Sequence, residues 1–150
     1  MNMKAQEWLE RGRRSEDPFD AFSNFWRGFN NLYAGRGVRE SEKNLISMFL
    51  DKHVSDEDAQ YLLDTYTKEI ASLTDKPVTD MRGNGRDTSN FIAKFKQSET
   101  AVEKLIALFK IIYQVRCNLE HGQKSPSRER DKNLCLHAGP IIAEIVEKYA

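Results

Sequence analysis

A chain of 150 residues is the usual size of one domain and is long enough to bury a single core. Its 23 Lys and Arg balance 23 Asp and Glu, so no global charge draws it to nucleic acid or membrane, and any anion site has to be local. Two cysteines, Cys117 and Cys135, with no CxxC spacing make neither a disulfide framework nor a metal motif.

The opening MNMKAQEWLERGRR lacks the apolar run of a signal sequence, and no stretch approaches the roughly 20 apolar residues of a membrane span. The expectation is a soluble, reduced, cytoplasmic protein forming one domain over residues 1–150. Lys4 to Arg14 fits a short helix with Trp8 and Leu9 as its only large apolar groups, and residues 1–16 read as a peripheral arm. Asp17-Pro18 is a helix start, an N-cap followed by proline at the first helical position. Phe19, Phe22, Trp26, Phe29 and Tyr33 then recur every three or four residues, which predicts an amphipathic helix with an aromatic core face. Gly35 and Gly37 end it.

Ser41 is the cap of a third helix carrying Leu45, Met48 and Phe49, with Ile46 and Leu50 alongside. Ser55 with Asp58 resembles a capping box, and the helix it opens places Leu62, Leu63, Tyr66 and Ile70 on one side. Residues 74–87, TDKPVTDMRGNGRD, hold one proline and two glycines and predict a flexible loop. Gly83-Asn84-Gly85 is not a phosphate loop, because no strand precedes it and no GK[ST] follows. Lys76, Arg82 and Arg86 leave open a basic flap beside the plainer reading of a connection.

A short amphipathic turn around Phe91, Ile92 and Phe95 leads to Ser98, the expected cap of the longest helix. Val102, Leu105, Ile106, Phe109, Ile112, Tyr113 and Arg116 share its broad face, while Leu108, Ile111 and Val115 lie outside that face and are also apolar. A helix apolar over most of its girth is central in a bundle or is covered on its second side by another subunit. After a polar bend at Gln123 to Ser127, a last helix carries Leu134, Ala138, Ile141, Ile145 and Tyr149, with Gly139-Pro140 expected to kink or split it. No alternating run predicts a strand. The fold class is all-α, an up-and-down bundle of four main helices with short extras.

Chemistry concentrates where the apolar helix gives way to a basic segment. Lys110, Arg116, Lys124, Arg128, Arg130 and Lys132 stand there against Glu120, Glu129 and Asp131. Arg116 and His121 combine a permanently charged fork suited to phosphate with a group that moves protons near neutral pH. On an intact helix five positions turn about 140°, so the two side chains would not share a face. They converge if the helix loosens near Gly122, or if two subunits each bring a pair to one cleft. Plainer roles are open as well: Arg116 on helix-end carbonyls and His121 as a C-terminal cap. A Cys117–His121 thiol nucleophile is a further alternative, without an orienting acid.

Two segments resemble the HEPN family, in its larger, Apea-like bacterial branch. DPFDAFSNFWRGFNNLY, residues 17–33, is similar to that branch's first core helix. VRCNLEHGQKSPSRERDKNL, residues 115–134, is similar to the family's R-x(4–6)-H motif with the HG and KSP that follow. Together they cover about a quarter of the chain. The resemblance implies a small helical bundle, usually a homodimer, with the Arg and His of both subunits lining one cleft. It implies a metal-independent endoribonuclease without cofactor, of the kind found in toxin–antitoxin, phage-defence and RNA-processing systems. An antitoxin or defence partner protein comes with that setting. The alternative is an inactive HEPN module that binds RNA or a partner. Arg116 and His121 match the catalytic pair. The family often has Asn or another polar residue directly after the Arg; Cys117 stands there, with Asn118 next. The Tyr found two positions after the His in one subgroup is replaced by Gln123. Around the pair, Asn118 is suited to a phosphate oxygen or to orienting the imidazole, and Lys124, Arg128 and Arg130 to following an RNA backbone.

Overall fold

The computed structural model describes residues 1–35, 39–120 and 129–150. The described residues form eight α-helices and no strand, so the chain is an all-α bundle as its periodicity predicts. In order these are α1 (Met3–Arg14), α2 (Pro18–Tyr33), α3 (Glu42–His53), α4 (Asp56–Thr65), α5 (Thr67–Thr74), α6 (Ser89–Gln97), α7 (Ala101–Glu120) and α8 (Glu129–Tyr149). One group of helices, α1, α2 and α8, packs mutually; a second, α3, α4 and α6, surrounds α7; α5 touches both α7 and α8.

The helix starts follow their capping residues. Asp17, Ser41 and Ser55 each accept a hydrogen bond from the backbone N–H three residues on. Ser98 departs from expectation: it terminates α6, its hydroxyl donating to the Lys94 carbonyl, and Thr100 caps α7 by accepting from the Glu103 N–H. At its far end α8 is tied to the start of α4, where the Lys148 ammonium and the Tyr149 hydroxyl both donate to Asp58.

The aromatic stripe of α2 is core. Phe22, Trp26, Phe29 and Tyr33 are buried and Phe19 packs against the edge of the cluster. Phe29 joins the two helix groups, its ring centroid 5.1 Å from Phe109 of α7 and 6.0 Å from Phe49 of α3. Phe25, outside the stripe, is buried on the side facing α1 and α8. A methyl group at Gly12 would overlap its ring, and one at Gly28 would come within 3.0 Å of the Ala5 carbonyl. Those glycines let α1 lie close along α2. The N-terminal helix is therefore packed, with Ala5 and Leu9 in the core, and not the peripheral arm its few apolar residues suggested.

Three further readings change. On α3 the inward pair is Ile46 and Leu50, and Met48 points to solvent. The single helix expected from Ser55 to Ile70 is interrupted at Tyr66 (φ −109°, ψ 38°), where Thr65, Tyr66 and Thr67 are three successive weak helix formers. Helix α8 runs through Pro140 without splitting and, at 21 residues, is one longer than α7. The bend at Gln123 to Ser127 and Gly37 lie outside the described residues.

Helix α7 resolves the choice posed by its apolar girth. Leu105, Leu108, Phe109, Ile111, Ile112 and Val115 are all fully buried within this one chain, so α7 is the central helix and needs no second subunit to cover it. Nor is any helix among the described residues long and apolar enough to cross a membrane.

Candidate functional site at the end of α7

Arg116 lies in the last turn but one of α7, on the side facing α2 and the start of α3. A half-buried guanidinium needs an acceptor for its charge, and Glu42, in the first turn of α3, supplies it: Nη1 of Arg116 donates to Oε2 of Glu42 over 3.0 Å. The same carboxylate accepts the Tyr33 hydroxyl at 2.6 Å on Oε1 and the Tyr113 hydroxyl at 3.3 Å on Oε2. Asn30 donates in turn to the Tyr33 oxygen over 2.9 Å. Trp26 and Tyr113 form the walls, each with its ring centroid 5.9 Å from the guanidinium carbon.

The two edges of the guanidinium differ. Nη1 is held by Glu42 inside the pocket, whereas Nη2 pairs at 2.9 Å with Glu120, whose side chain is 59% exposed. An ion pair to so exposed a carboxylate is worth little, and that edge is where an incoming oxyanion can take the place of a protein carboxylate. Arg116 Nε and Trp26 Nε1 are buried and have no hydrogen-bond acceptor among the described residues.

Burial and neighbouring charge act on both phenols and on the guanidinium. Burial, then the hydrogen bond to Glu42, pushes the Tyr33 phenol well above its ordinary range. Burial, then a hydrogen bond with the Cys117 thiol, does the same to Tyr113. Both phenols therefore stay neutral donors. For Arg116, burial pulls downward, but Glu42 and Glu120 outweigh it and the guanidinium is held above its usual value.

The other expected residues separate. Cys117 is half-buried beside Tyr113 and belongs to the pocket wall. Asn118 does not face it. Its side chain is buried and spent on the loop between α5 and α6: Oδ1 accepts from the Met81 N–H and from Gln114, and Nδ2 donates to the Thr79 carbonyl. An amide so engaged fastens that loop to α7, and the His121 imidazole it was expected to orient lies outside the described residues. Arg130 makes its contacts elsewhere, donating to the carbonyls of Lys76 and Pro77. His121, Lys124 and Arg128 lie outside the described residues, so the meeting of Arg116 with His121 does as well.

The loop that Asn118 fastens is irregular yet internally bonded. Thr79 and Asp87 form an isolated antiparallel bridge, and Val78 and Thr88 exchange two hydrogen bonds. Asp80, buried, accepts from the backbone N–H, Nε and Nη2 of Arg82 and from Asn84. Those bonds, the Arg82 side chain foremost, hold its carboxyl well below the usual carboxylate range. Gly83 and Gly85, at φ of 75° and 76°, supply the left-handed positions this tight turn needs.

Glu42, Tyr33 and Tyr113 carry the pocket and were not singled out as site residues from the sequence. The signal available was the demand of a core-facing Arg116 for an acid, but 23 acids compete for that role and no spacing selects Glu42. Among the described residues no group of three or more His, Cys, Asp and Glu is placed to hold a metal ion. No family model, curated protein or solved structure matches the chain.

Proposed function

We propose that this domain is a HEPN-type, metal-independent endoribonuclease in which Arg116 clamps the scissile phosphate and His121 transfers protons. The observation that carries the reading is the state of Arg116. It is fixed on its inner edge by Glu42 and two aromatic walls and, among the described residues, is paired on its outer edge only with the exposed Glu120. It stands five residues before His121, in the segment similar to the family motif. A rigid charged fork of this kind stabilises charge that develops on a phosphoryl group, and stabilises it most when it need not reorganise.

The chemistry is transesterification. The RNA 2′-oxygen attacks phosphorus as its proton passes to a base, and the 5′-oxygen leaves as it receives a proton from an acid. The fragment keeps a 2′,3′-cyclic phosphate. Histidine suits either proton step near pH 7. The finer parts of the proposal are a homodimer that joins two Arg–His pairs in one cleft, a cytoplasmic setting, and a role in phage defence or a toxin–antitoxin system with a protein partner. They rest on the family resemblance alone.

A second reading, a module that binds RNA or a protein without cutting, is favoured by two contacts: Arg116 already has two carboxylate partners, and the amide of Asn118 is consumed by the loop. One experiment separates them. The purified protein is incubated with single-stranded RNA in EDTA, beside Arg116→Ala and His121→Ala. The nuclease reading expects cyclic-phosphate products, resistance of substrates with 2′-deoxyribose at the cut, and losses of about 10²-fold or more for Arg116→Ala and roughly 10²- to 10⁴-fold for His121→Ala. Binding without product selects the second reading.

A further inference from the structure

Near Tyr113, and so near Arg116, lies a cluster of three lysines. The Lys43 ammonium sits 5.2 Å from the Phe91 ring centroid and 6.0 Å from that of Tyr113; the Lys110 ammonium is 5.8 Å from the Phe91 centroid. Lys94 is near enough to Lys110 for their charges to repel. None of these three lysines forms an ion pair among the described residues. Of the acids nearby, Glu42 is paired with Arg116 and Asp80 with Arg82, Asp87 stays charged on the cleft and accepts from the Ser89 N–H, and Glu103 borders the shallow depression beside Lys94 and Lys110 without pairing with either. Lys43 and Phe91 also border an open cleft of about 450 Å³, whose charged lining is Lys43, Arg82 and Arg86 against Asp80 and Asp87.

We propose that this lysine–phenylalanine face, Lys43, Phe91, Lys110 and Lys94 with Arg86 across the cleft, is the track on which a single strand of RNA lies as it reaches Arg116. The proposal deepens the ribonuclease reading and rests on its choice of RNA as the ligand. Three arguments point to a nucleic-acid strand. Like charges gathered without ion-pair partners among the described residues raise the free energy of the unbound protein, and a chain of phosphates relieves that along its length. A ring flanked by ammonium groups offers stacking for a base between contacts to its phosphates. Proximity supplies the third: one ring, Tyr113, lies 6.0 Å from the Lys43 ammonium and 5.9 Å from the Arg116 guanidinium carbon, so a strand on the track is one ring away from Arg116. Burial, with the charges of Lys94 and Lys43 added, holds the Lys110 ammonium below its usual range, a strain that a bound phosphate removes.

The test measures binding apart from cleavage. A fluorescent single-stranded oligonucleotide made wholly of 2′-deoxy residues, which the proposed chemistry cannot cut, is titrated by anisotropy between about 50 and 200 mM salt. Lys43→Gln/Lys110→Gln should weaken binding about 10-fold or more at the lowest salt. It should also flatten the slope of log K against log salt by about 1.4, since each single-strand phosphate contact contributes roughly 0.7. If that double variant does not fold, Arg86→Gln and Lys94→Gln, both on exposed side chains, should each flatten the slope by about 0.7. Unchanged affinity and slope in folded variants, or no binding by the parent protein, overturns the track. The two proposals fail separately. Lysine-dependent binding with no RNA cleavage keeps the track and removes the nuclease, whereas Arg116-dependent cleavage with lysine-independent binding removes the track and keeps the nuclease.

Discussion

Near Tyr113, Arg116 has two carboxylates, two neutral phenols and two aromatic walls, whereas Lys43 and Lys110 have aromatic rings and, with Lys94, each other. Both regions are built around cations and both border Tyr113, yet they handle charge in opposite ways. In the first, the protein has balanced the charge itself, which fixes the side chain in place. In the second the imbalance is left for an anion to correct. A group required to act on a transition state benefits from the first arrangement, because its position is set before substrate arrives. Groups required to gather a strand benefit from the second, because affinity follows from charge that has no internal partner.

The strongest way to break this contrast is to unbalance Arg116. Glu42→Gln removes the charge that accepts three side-chain hydrogen bonds. Stability should fall by about 2 kcal/mol, the worth of charged hydrogen bonds, read as a lower urea midpoint with little change in slope. If RNA cleavage can be measured, kcat should fall with it, since the fork is no longer held. An unaltered midpoint would mean that Glu42 does not organise the pocket.

Asn118→Ala should cost somewhat less, about 1–2 kcal/mol, because two backbone partners, the Met81 N–H and the Thr79 carbonyl, lose their side-chain ties. Hydrogen exchange at Met81 and Arg82 should accelerate while the amides of α7 stay protected. Arg116 should keep its function in this variant, which separates the fastener from the pocket although the two residues are only two positions apart. A selective loss of cleavage at unchanged loop protection would return Asn118 to the phosphate.

How far the chain could be read without its structure follows from the range of each interaction. The α2 stripe and the apolar girth of α7 were legible because helical periodicity is local and the apolar residues are numerous, but whether α7 was covered by its own chain or by a second subunit was left open. Ser98 and Thr100 were confused because two hydroxyls stand two positions apart and either can cap. The packing of α1 was missed because it depends on glycines, Gly12 and Gly28, whose value lies in what a partner helix brings to them. Arg116 could be picked out by its chemistry, but its partner Glu42 is 74 positions away and has no pattern to mark it. The lysine face was hidden for the same reason: Lys43 lies on α3, Lys94 on α6 and Lys110 on α7, and only packing gathers them.

A third effect appears at alkaline pH. Tyr33 and Tyr113 are both raised above the ordinary tyrosine value near 10. The folded protein therefore keeps protons that the unfolded chain releases. Their contribution is fully present below about pH 10 and is lost as pH rises through the folded values. Unfolding free energy should decline above about pH 10. Tyr33→Phe should be less stable at neutral pH by about 1 kcal/mol for its lost hydrogen bond, with a shallower alkaline decline. Parallel declines in parent and variant would show that Tyr33 does not stay protonated in the pocket.

The smallest expected effect on stability is at the outer edge of Arg116, and it tests most directly whether that edge is available. Glu120 is mostly exposed and pairs with Nη2 across a single turn of α7. Exposed pairs of this spacing contribute about 0.5 kcal/mol or less, so Glu120→Gln should leave the urea midpoint nearly unchanged. Its effect on an anion should be the reverse of that of Glu42→Gln on stability. Removing the exposed competitor frees Nη2 without loosening Nη1, so oligonucleotide affinity should rise a few-fold, most clearly at low salt, where the lost negative charge is least screened. Arg116→Ala in the same background should abolish the gain. A gain that survives Arg116→Ala would reflect only the change in net charge, and a loss of affinity would place Glu120 among the groups that position the strand.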